Sequence, residues 1–426
     1  MQKIQFSDME LSNEMQRAVE EMGFEEPTSI QAASIPMILS GRDVIGHSQT
    51  GTGKTAAFSI PAIEKINPAG GRKTQVLILC PTRELAVQAC DEIRKFAKYK
   101  PFLKVVPIYG GQPIERQFTA LRGGAQIVVG TPGRVMDHMR RGTLKLDTLH
   151  MIILDEADEM LSMGFREDIE TILKDVPQER QTILFSATMS PEIMRITKQY
   201  QTDPELIRIT REQLTVPNIE QTYYEVPVGK KTEVLSRLLD VYNPSRSIVF
   251  CNTKKQVDEL VEELHARGYQ ARGLHGDMKQ GERTQIMNGF RRGSIDILVA
   301  TDVAARGIDV EDIAAVFNYD IPQDVEYYVH RIGRTGRIGK EGRAFTFVTG
   351  RRQIYELRDI ERFTKSKITL KAVPSSSEVN ETNERKFLDR VRVVLEEGGL
   401  EEYTPYTDAL LEDYASLDIS AALIKM

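Results

Sequence analysis

The stretch "SQTGTGKT", residues 48–55, follows the apolar run "DVIGH" and has the residue types that hold phosphate. Gly51 and Gly53 let backbone N–H groups approach phosphate oxygens, Lys54 can reach β- and γ-phosphates, and the Thr55 hydroxyl can ligate Mg²⁺. Ser48 stands where the G-x-x-x-x-G-K-[ST] pattern begins with glycine, so a plain glycine-rich turn before a helix is the competing reading. The apolar run "IILDEAD" decides between the two. It ends in Asp155, which can hold Mg²⁺, and Glu156, which can orient and deprotonate an attacking water.

Two further segments extend this chemistry. In "GFEEPTSIQ", residues 23–31, the Gln31 amide can both donate to and accept from an adenine edge, and Phe24 offers a stacking face. Taken alone, a core phenylalanine and a glutamine at a helix start are the better reading of the segment; its position just before the phosphate loop reverses that preference toward the base. In "HRIGRTGR", residues 330–337, Arg331, Arg334 and Arg337 recur every three residues. Arginines there could neutralise charge on a transferring phosphoryl group, which would divide an ATP site between two domains; a solvated basic turn is the alternative.

The elements that must carry these residues are legible. From Arg42 to about residue 210, the β-branched runs "DVIGH", "QVLILCPT", "KVVPIYGG", "AQIVVGTP", "MIILDEAD" and "QTILFSAT" alternate with amphipathic stretches such as "ELAVQACDEIRKFAKY". The rhythm restarts at Arg246 with "SIVFCNT", "QARGLHG", "DILVATD", "AAVFNYD" and "RAFTFVT". Such alternation predicts an α/β class with two doubly wound parallel-sheet domains. The boundaries expected are a first domain over 1–208 with an adenine-recognition segment at 4–32, an extended linker at 209–218, a second domain over 219–374, and an acidic helical tail over 375–426. In the tail, Phe387, Leu388, Val391, Val394 and Leu395 fall at helical spacing before Gly398 and Gly399, and one or two more helices follow.

Composition fits a globular chain, with 41% hydrophobic and 28% charged residues in 426. The net charge of -6 argues against a nucleic-acid partner until its placement is counted: residues 375–426 hold 12 acidic and 5 basic side chains, so residues 1–374 sum to +1. That leaves room for local basic grooves. No apolar run reaches the length of a membrane span and the N-terminus lacks a secretory pattern, so a cytoplasmic location with no membrane partner is expected. Cys80, Cys90 and Cys251 lack metal-ligand spacing and suit reduced, buried thiols.

The ordered series "GFEEPTSIQ", "SQTGTGKT", "PTRELAVQ", "YGG", "TPGR", "DEAD", "SAT", "IVFCNT", "TDVAARGID" and "HRIGRTGR" resembles the motif set of the DEAD-box ATP-dependent RNA helicases, over roughly residues 5–370. The tail is similar to that of the bacterial cold-shock members. The resemblance implies tandem RecA-like domains with a small α-helical C-terminal module, RNA-stimulated hydrolysis of ATP with Mg²⁺, and local unwinding of RNA with little sequence preference. It implies that Phe6, Phe24 and Gln31 recognise adenine, and that Ser48, Gln49, Thr50, Gly51, Thr52, Gly53, Lys54 and Thr55 hold the phosphates. Thr55 and Asp155 would serve the metal and Glu156 the water, with Gly307 and Asp309 reaching the nucleotide from the second domain. Arg334 and Arg337 would be the arginine fingers. Ser186 and Thr188 would couple hydrolysis to strand separation through Asp158 and His330.

RNA, single-stranded or a short duplex, would lie on Pro81, Thr82, Arg83, Gly110, Gly111, Thr131, Gly133 and Arg134 of the first domain. On the second it would meet Asn252, Gly276, Arg283, Thr301 and Asp302. Backbone glycines, threonine hydroxyls and arginines bind phosphate and 2′-OH without reading bases. The tail implies a homodimer through residues 380–426, with RNA-decay or ribosome-assembly proteins as further partners and cold adaptation as a setting. A DNA translocase of the same two-domain build, or an ATP-locked RNA clamp, is the rival function; a metabolic P-loop kinase is disfavoured by the second α/β domain.

Overall fold

The computed structural model describes residues 5–48, 52–208, 219–305, 310, 313–322, 325–336 and 341–425. The chain forms two sheets of seven strands each, with parallel pairing throughout the described residues. The first contains β1 (Val44–His47), β2 (Val76–Leu79), β3 (Val105–Ile108), β4 (Ile127–Gly130), β5 (Met151–Leu154), β6 (Gln181–Ser186) and β7 (Glu205–Arg208), in the order β3-β4-β2-β5-β6-β1-β7. The second contains β8 (Ile219–Glu225), β9 (Ser247–Phe250), β10 (Ala271–Leu274), β11 (Ile297–Ala300), β12 (Ala315–Asn318), β13 (Gly342–Val348) and β14 (Thr369–Leu370), in the order β10-β11-β9-β12-β13-β8-β14. Both orders share one topology, and each expected β-run became a strand. The expected linker, 209–218, lies outside the described residues.

Continuous apolar runs make these strands because helices cover both faces of each sheet. Every residue of β2, β4 and β5 is buried, their side chains divided between two separate apolar layers. Between strands, the helix Arg83–Phe96 buries Ala86, Ala89, Cys90, Ile93 and Phe96, a 3.6-residue stripe, and its N-cap Thr82 hydroxyl accepts from the Leu85 amide. A Cβ on Gly46 of β1 would stand 2.3 Å from the Phe185 ring, so glycine lets the strand carrying the phosphate loop pack against β6. All three cysteines are buried and free.

The tail opens with the helix Ser376–Glu397, capped reciprocally by Ser375 and Glu378. Its first turns pack on the helix Lys231–Tyr242, where Val379 is buried and the Lys386 ammonium donates to the Asp240 carbonyl. Gly398, at φ 69°, ends it. Beyond Lys386 the apolar stripe has no cover among the described residues: Leu388, Val394 and Leu395 are half exposed or more, as are Tyr403, Tyr406 and Leu417 in the helical segments that follow. Among the described residues, no helix is long and apolar enough to cross a membrane.

Candidate functional site

Parallel sheets direct the residues that follow their strands to one edge, where α/β proteins bind ligands. The loop beginning at Ser48 follows β1, Thr82 and Arg83 follow β2, and Gly110 and Gly111 follow β3. Thr131 follows β4, Asp155 and Glu156 follow β5, and Thr188 lies just beyond β6. One edge of the first sheet thus gathers residues spread over 140 positions of sequence.

Within the phosphate loop, Gln49, Thr50 and Gly51 lie outside the described residues. Gly53 takes φ 87°, and a Cβ there would meet the Gln31 amide nitrogen at 2.4 Å, so glycine is required on both grounds. Ser48 uses its hydroxyl to accept from Thr52 at 3.2 Å, giving the residue that departs from the glycine pattern a part in closing the loop. Lys54 opens the helix Lys54–Glu64 and is buried, yet its ammonium has no hydrogen-bond partner among the described residues.

Buried beside it, Asp155 also keeps one carboxylate oxygen without a partner among the described residues. Burial pushes its carboxyl up to about 6; the Lys54 charge opposes the rise and Glu156 adds to it. A buried cation and a buried carboxylate oxygen left unbonded are costly in an empty fold and suit an anionic ligand with a metal ion. Glu156 is buried in the left-handed conformation, φ 51° and ψ 51°, at the start of the helix Ala157–Ser162. Such backbone in a non-glycine residue costs on the order of 1–3 kcal/mol and concentrates at functional positions.

The adenine residues differ from expectation. Gln31 is buried with both ends of its amide engaged, Oε1 accepting from the Thr28 amide at 2.9 Å and Nε2 donating to the Gly53 carbonyl at 3.1 Å. It therefore braces the phosphate loop here. Phe24 packs edge-on against buried Phe6 and tilted at 33° against Phe96, so Phe6 lies in the core and Phe24, partly buried, against it.

"SAT" folds into a knot. The Ser186 hydroxyl donates to the Thr188 carbonyl at 2.6 Å, and one Asp158 oxygen accepts from the Ala187 and Thr188 amides at 3.1 and 2.9 Å. Across the cleft, His330 Nδ1 lies 2.6 Å from Glu159 Oε1, while the second Asp158 oxygen has no partner among the described residues. One residue along the helix, the side chain points to the other domain.

Two more pairs cross the cleft. Arg83 Nη1 donates to Gln280 Oε1 at 2.8 Å, and Arg283 donates to Glu84 Oε1 through Nη2 at 2.8 Å and Nε at 3.3 Å. Two of the three arginines expected on RNA thus meet the opposite domain. Gly111, at φ 82°, lies under Arg83: a Cβ there would stand 1.9 Å from Nη1. Arg134 donates to the Gln112 carbonyl at 3.2 and 3.3 Å, Gly133 is half-buried, and Pro81 and Thr131 are buried at the same edge.

In the second domain, Arg331, the first arginine of the three-residue repeat, is turned inward instead of toward a phosphoryl group. It is 1% exposed, and its guanidinium donates to both Asp302 oxygens at 2.5 and 2.7 Å, to Asn252 Oδ1 at 2.9 Å and to the Asp320 carbonyl at 2.6 Å. Asp320 also takes the Lys231 ammonium at 2.7 Å. Arg331 therefore fixes two of the expected RNA residues, Asn252 and Asp302, beside Thr301. Gly276 is exposed with open space around it. Arg334 is buried, with Nε donating to the His330 carbonyl at 3.3 Å. Gly307, Asp309 and Arg337 lie outside the described residues.

A lysine–threonine phosphate loop, an acidic strand end and a second α/β domain facing them define a two-domain, nucleotide-driven protein of the helicase type. The family model for the DEAD/DEAH box helicase matches residues 28–196, that for the helicase conserved C-terminal domain residues 230–339, and that for the RNA helicase DeaD dimerization domain residues 374–426. The chain is 51% identical over 421 residues to the DEAD-box ATP-dependent RNA helicase CshA of Geobacillus kaustophilus, covering 99% of this chain and 90% of that protein. It is 49% identical over 423 residues to CshA of Bacillus subtilis, covering 99% and 85%. Among solved structures, S. cerevisiae Dbp5 bound to RNA and ADP BeF3 matches with a TM-score of 0.79 at 31% identity, covering 89% of this chain and 99% of that one. The chain belongs to the DEAD-box ATP-dependent RNA helicases.

Proposed function

We propose that this helicase closes its two domains on RNA when it binds ATP with Mg²⁺, locally unwinds short duplexes with little sequence preference, and reopens after hydrolysis. The three cross-cleft pairs carry the reading, because they join the second domain to the sheet edge of the first that also holds the buried Lys54 and Asp155, whose ammonium and one carboxylate oxygen have no partner among the described residues. The units are 1–208, 219–374 and the tail 375–426, joined by 209–218.

Lys54 and the loop 48–55 bind the phosphates, and Thr55 and Asp155 hold Mg²⁺, which neutralises phosphate charge when bound. Glu156 takes the proton of the attacking water, and Arg334 with Arg337 stabilises charge on the transferred group. Gln31 turns from the loop to the adenine edge, and Phe6 and Phe24 support it; Gly307 and Asp309 complete the nucleotide site. The Ser186–Thr188 knot senses the phosphates through Asp158, and Glu159 passes the change to His330. Pro81, Thr82, Gly110, Gly111, Thr131 and Gly133 meet the RNA backbone, as do Asn252, Gly276, Thr301 and Asp302; Arg83, Arg134 and Arg283 add charge. Residues 380–426 pair two copies through the uncovered stripe.

Steady-state ATPase with single-stranded RNA, duplex RNA and DNA of equal length tests this. RNA should stimulate turnover strongly and DNA weakly; equal stimulation by both would remove the RNA assignment in favour of a DNA translocase. Glu156→Gln separates enzyme from clamp. Unwinding should stop in that variant, whereas full function would make turnover incidental.

A further inference from the structure

Beneath the first domain's RNA edge lies a buried polar chain that no part of the ATP site uses. Gln117, on the helix Ile114–Arg122, is 3% exposed, and His138, on the helix Pro132–Arg140, is fully buried. Gln117 Nε2 donates to the Tyr109 carbonyl at 2.8 Å, Gln117 Oε1 lies 3.0 Å from His138 Nε2, and His138 Nδ1 lies 2.9 Å from the Thr143 hydroxyl. Phe118 closes the ring edge-on at 5.6 Å.

The carbonyl fixes the direction of every hydrogen. Tyr109 O can only accept, so Gln117 must present Nε2 to it and Oε1 to the ring. His138 must then carry its proton on Nε2, which leaves Nδ1 an acceptor; the Thr143 hydroxyl lies 2.9 Å from Nδ1 and 3.1 Å from the His138 carbonyl, and its single hydrogen goes to Nδ1. The His138 carbonyl is still satisfied, by the Thr143 amide at 3.0 Å. Burial first, then the charges of Arg134 and Arg141, holds the ring below its ordinary pKa against the pull of Asp137, which keeps it neutral as this chain requires.

We propose that Gln117 and His138 are positioning residues for RNA: they tie the "YGG" loop to the helix that begins at "TPGR" and so set the spacing of the two phosphate-gripping segments. The inference rests on the reading that residues 109–112 and 131–134 hold RNA. Arg134, donating to the Gln112 carbonyl, links the same two segments at the surface, while the Gln117–His138 pair links them below. Gly110 and Gly111 have no side chains to hold their own geometry, so a buried anchor on the preceding carbonyl sets it.

The test is the RNA dependence of ATPase in the full chain. Gln117→Met and His138→Leu should raise the RNA KM about tenfold, the size of one lost buried hydrogen bond, with kcat at saturating RNA within about twofold. His138→Gln keeps an N–H near the position of Nε2 and should recover most of the loss. If Arg134→Ala raises the RNA KM but Gln117→Met and His138→Leu lower only the melting temperature, the pair is structural and the inference fails while the grip reading stands. If none of these variants moves the RNA KM, the grip reading fails and the inference with it. In ¹⁵N NMR of the wild type, the His138 ring should appear as the neutral Nε2–H tautomer; an Nδ1–H ring would break the chain and overturn the proposal.

Discussion

The Glu84 carboxylate of the first domain and the Arg283 guanidinium of the second meet across the cleft, with Nη2 and Nε both on one oxygen at 2.8 and 3.3 Å. Their side chains are 18% and 12% exposed, so water screens the pair poorly and each partner depends on the other. Glu84→Gln should weaken closure by about 1–3 kcal/mol, read as a lower interdomain FRET signal with an ATP analogue and RNA. Exchanging the two charges, Glu84→Arg with Arg283→Glu, should recover part of it. Additive losses in that double variant would show that the pair does not hold the closed state.

Lys54 and Asp155 trade stability for ligand binding. Asp155→Asn removes a carboxylate that burial disfavours, so the nucleotide-free protein should gain on the order of 1–3 kcal/mol, seen as a higher melting temperature, while ATPase falls at least about 100-fold. A variant that loses stability would mean that the Lys54–Asp155 attraction outweighs the cost of burial.

Arg331→Ala leaves the half-buried Asp302 carboxylate without its cation and the Asp320 carbonyl and Asn252 Oδ1 without their donor, and should cost about 3–5 kcal/mol. Arg331→Lys restores the charge but not the fork that spans Asp302, Asn252 and the Asp320 carbonyl, so it should recover stability only partly. Denaturant midpoints rank the three proteins. Equal midpoints for wild type and Arg331→Lys would show that charge alone suffices.

His138 sets an acid limit on stability. The buried ring resists protonation, so its contribution is full above the ordinary value of 6.5 and is lost as the pH falls below it toward the lower folded value. The stability advantage of wild type over His138→Gln should therefore shrink between pH 7 and pH 5, by about 1.4 kcal/mol for every tenfold by which the folded ring binds its proton more weakly than the unfolded one. An advantage that stays constant over this range would show that the folded ring takes up its proton as readily as the unfolded one.

The uncovered tail stripe should be where two copies meet. Leu388→Asp combined with Val394→Asp places charge on residues 50% and 51% exposed, so the fold should be kept while light scattering falls from two chains to one. A mass unchanged by both substitutions, and by ending the chain at Pro374, would remove the dimer.

Local sequence determined the parts whose physics is local. A lysine and a threonine follow two glycines within five residues, acidic residues end an apolar strand, and β-runs alternate with helical stripes; each is legible because neighbours in sequence act together. Only the tertiary structure decided what each side chain touches. It gave the Gln31 amide to the phosphate loop, turned Glu159 rather than Asp158 toward His330, and made Arg331 the hub beneath Asn252 and Asp302. It also set Arg83 against Gln280, 197 residues away, and joined Gln117 to His138. Periodicity tells which face of an element is buried but not which distant polar group shares that burial. A buried donor must find an acceptor, and packing of the elements alone selects it.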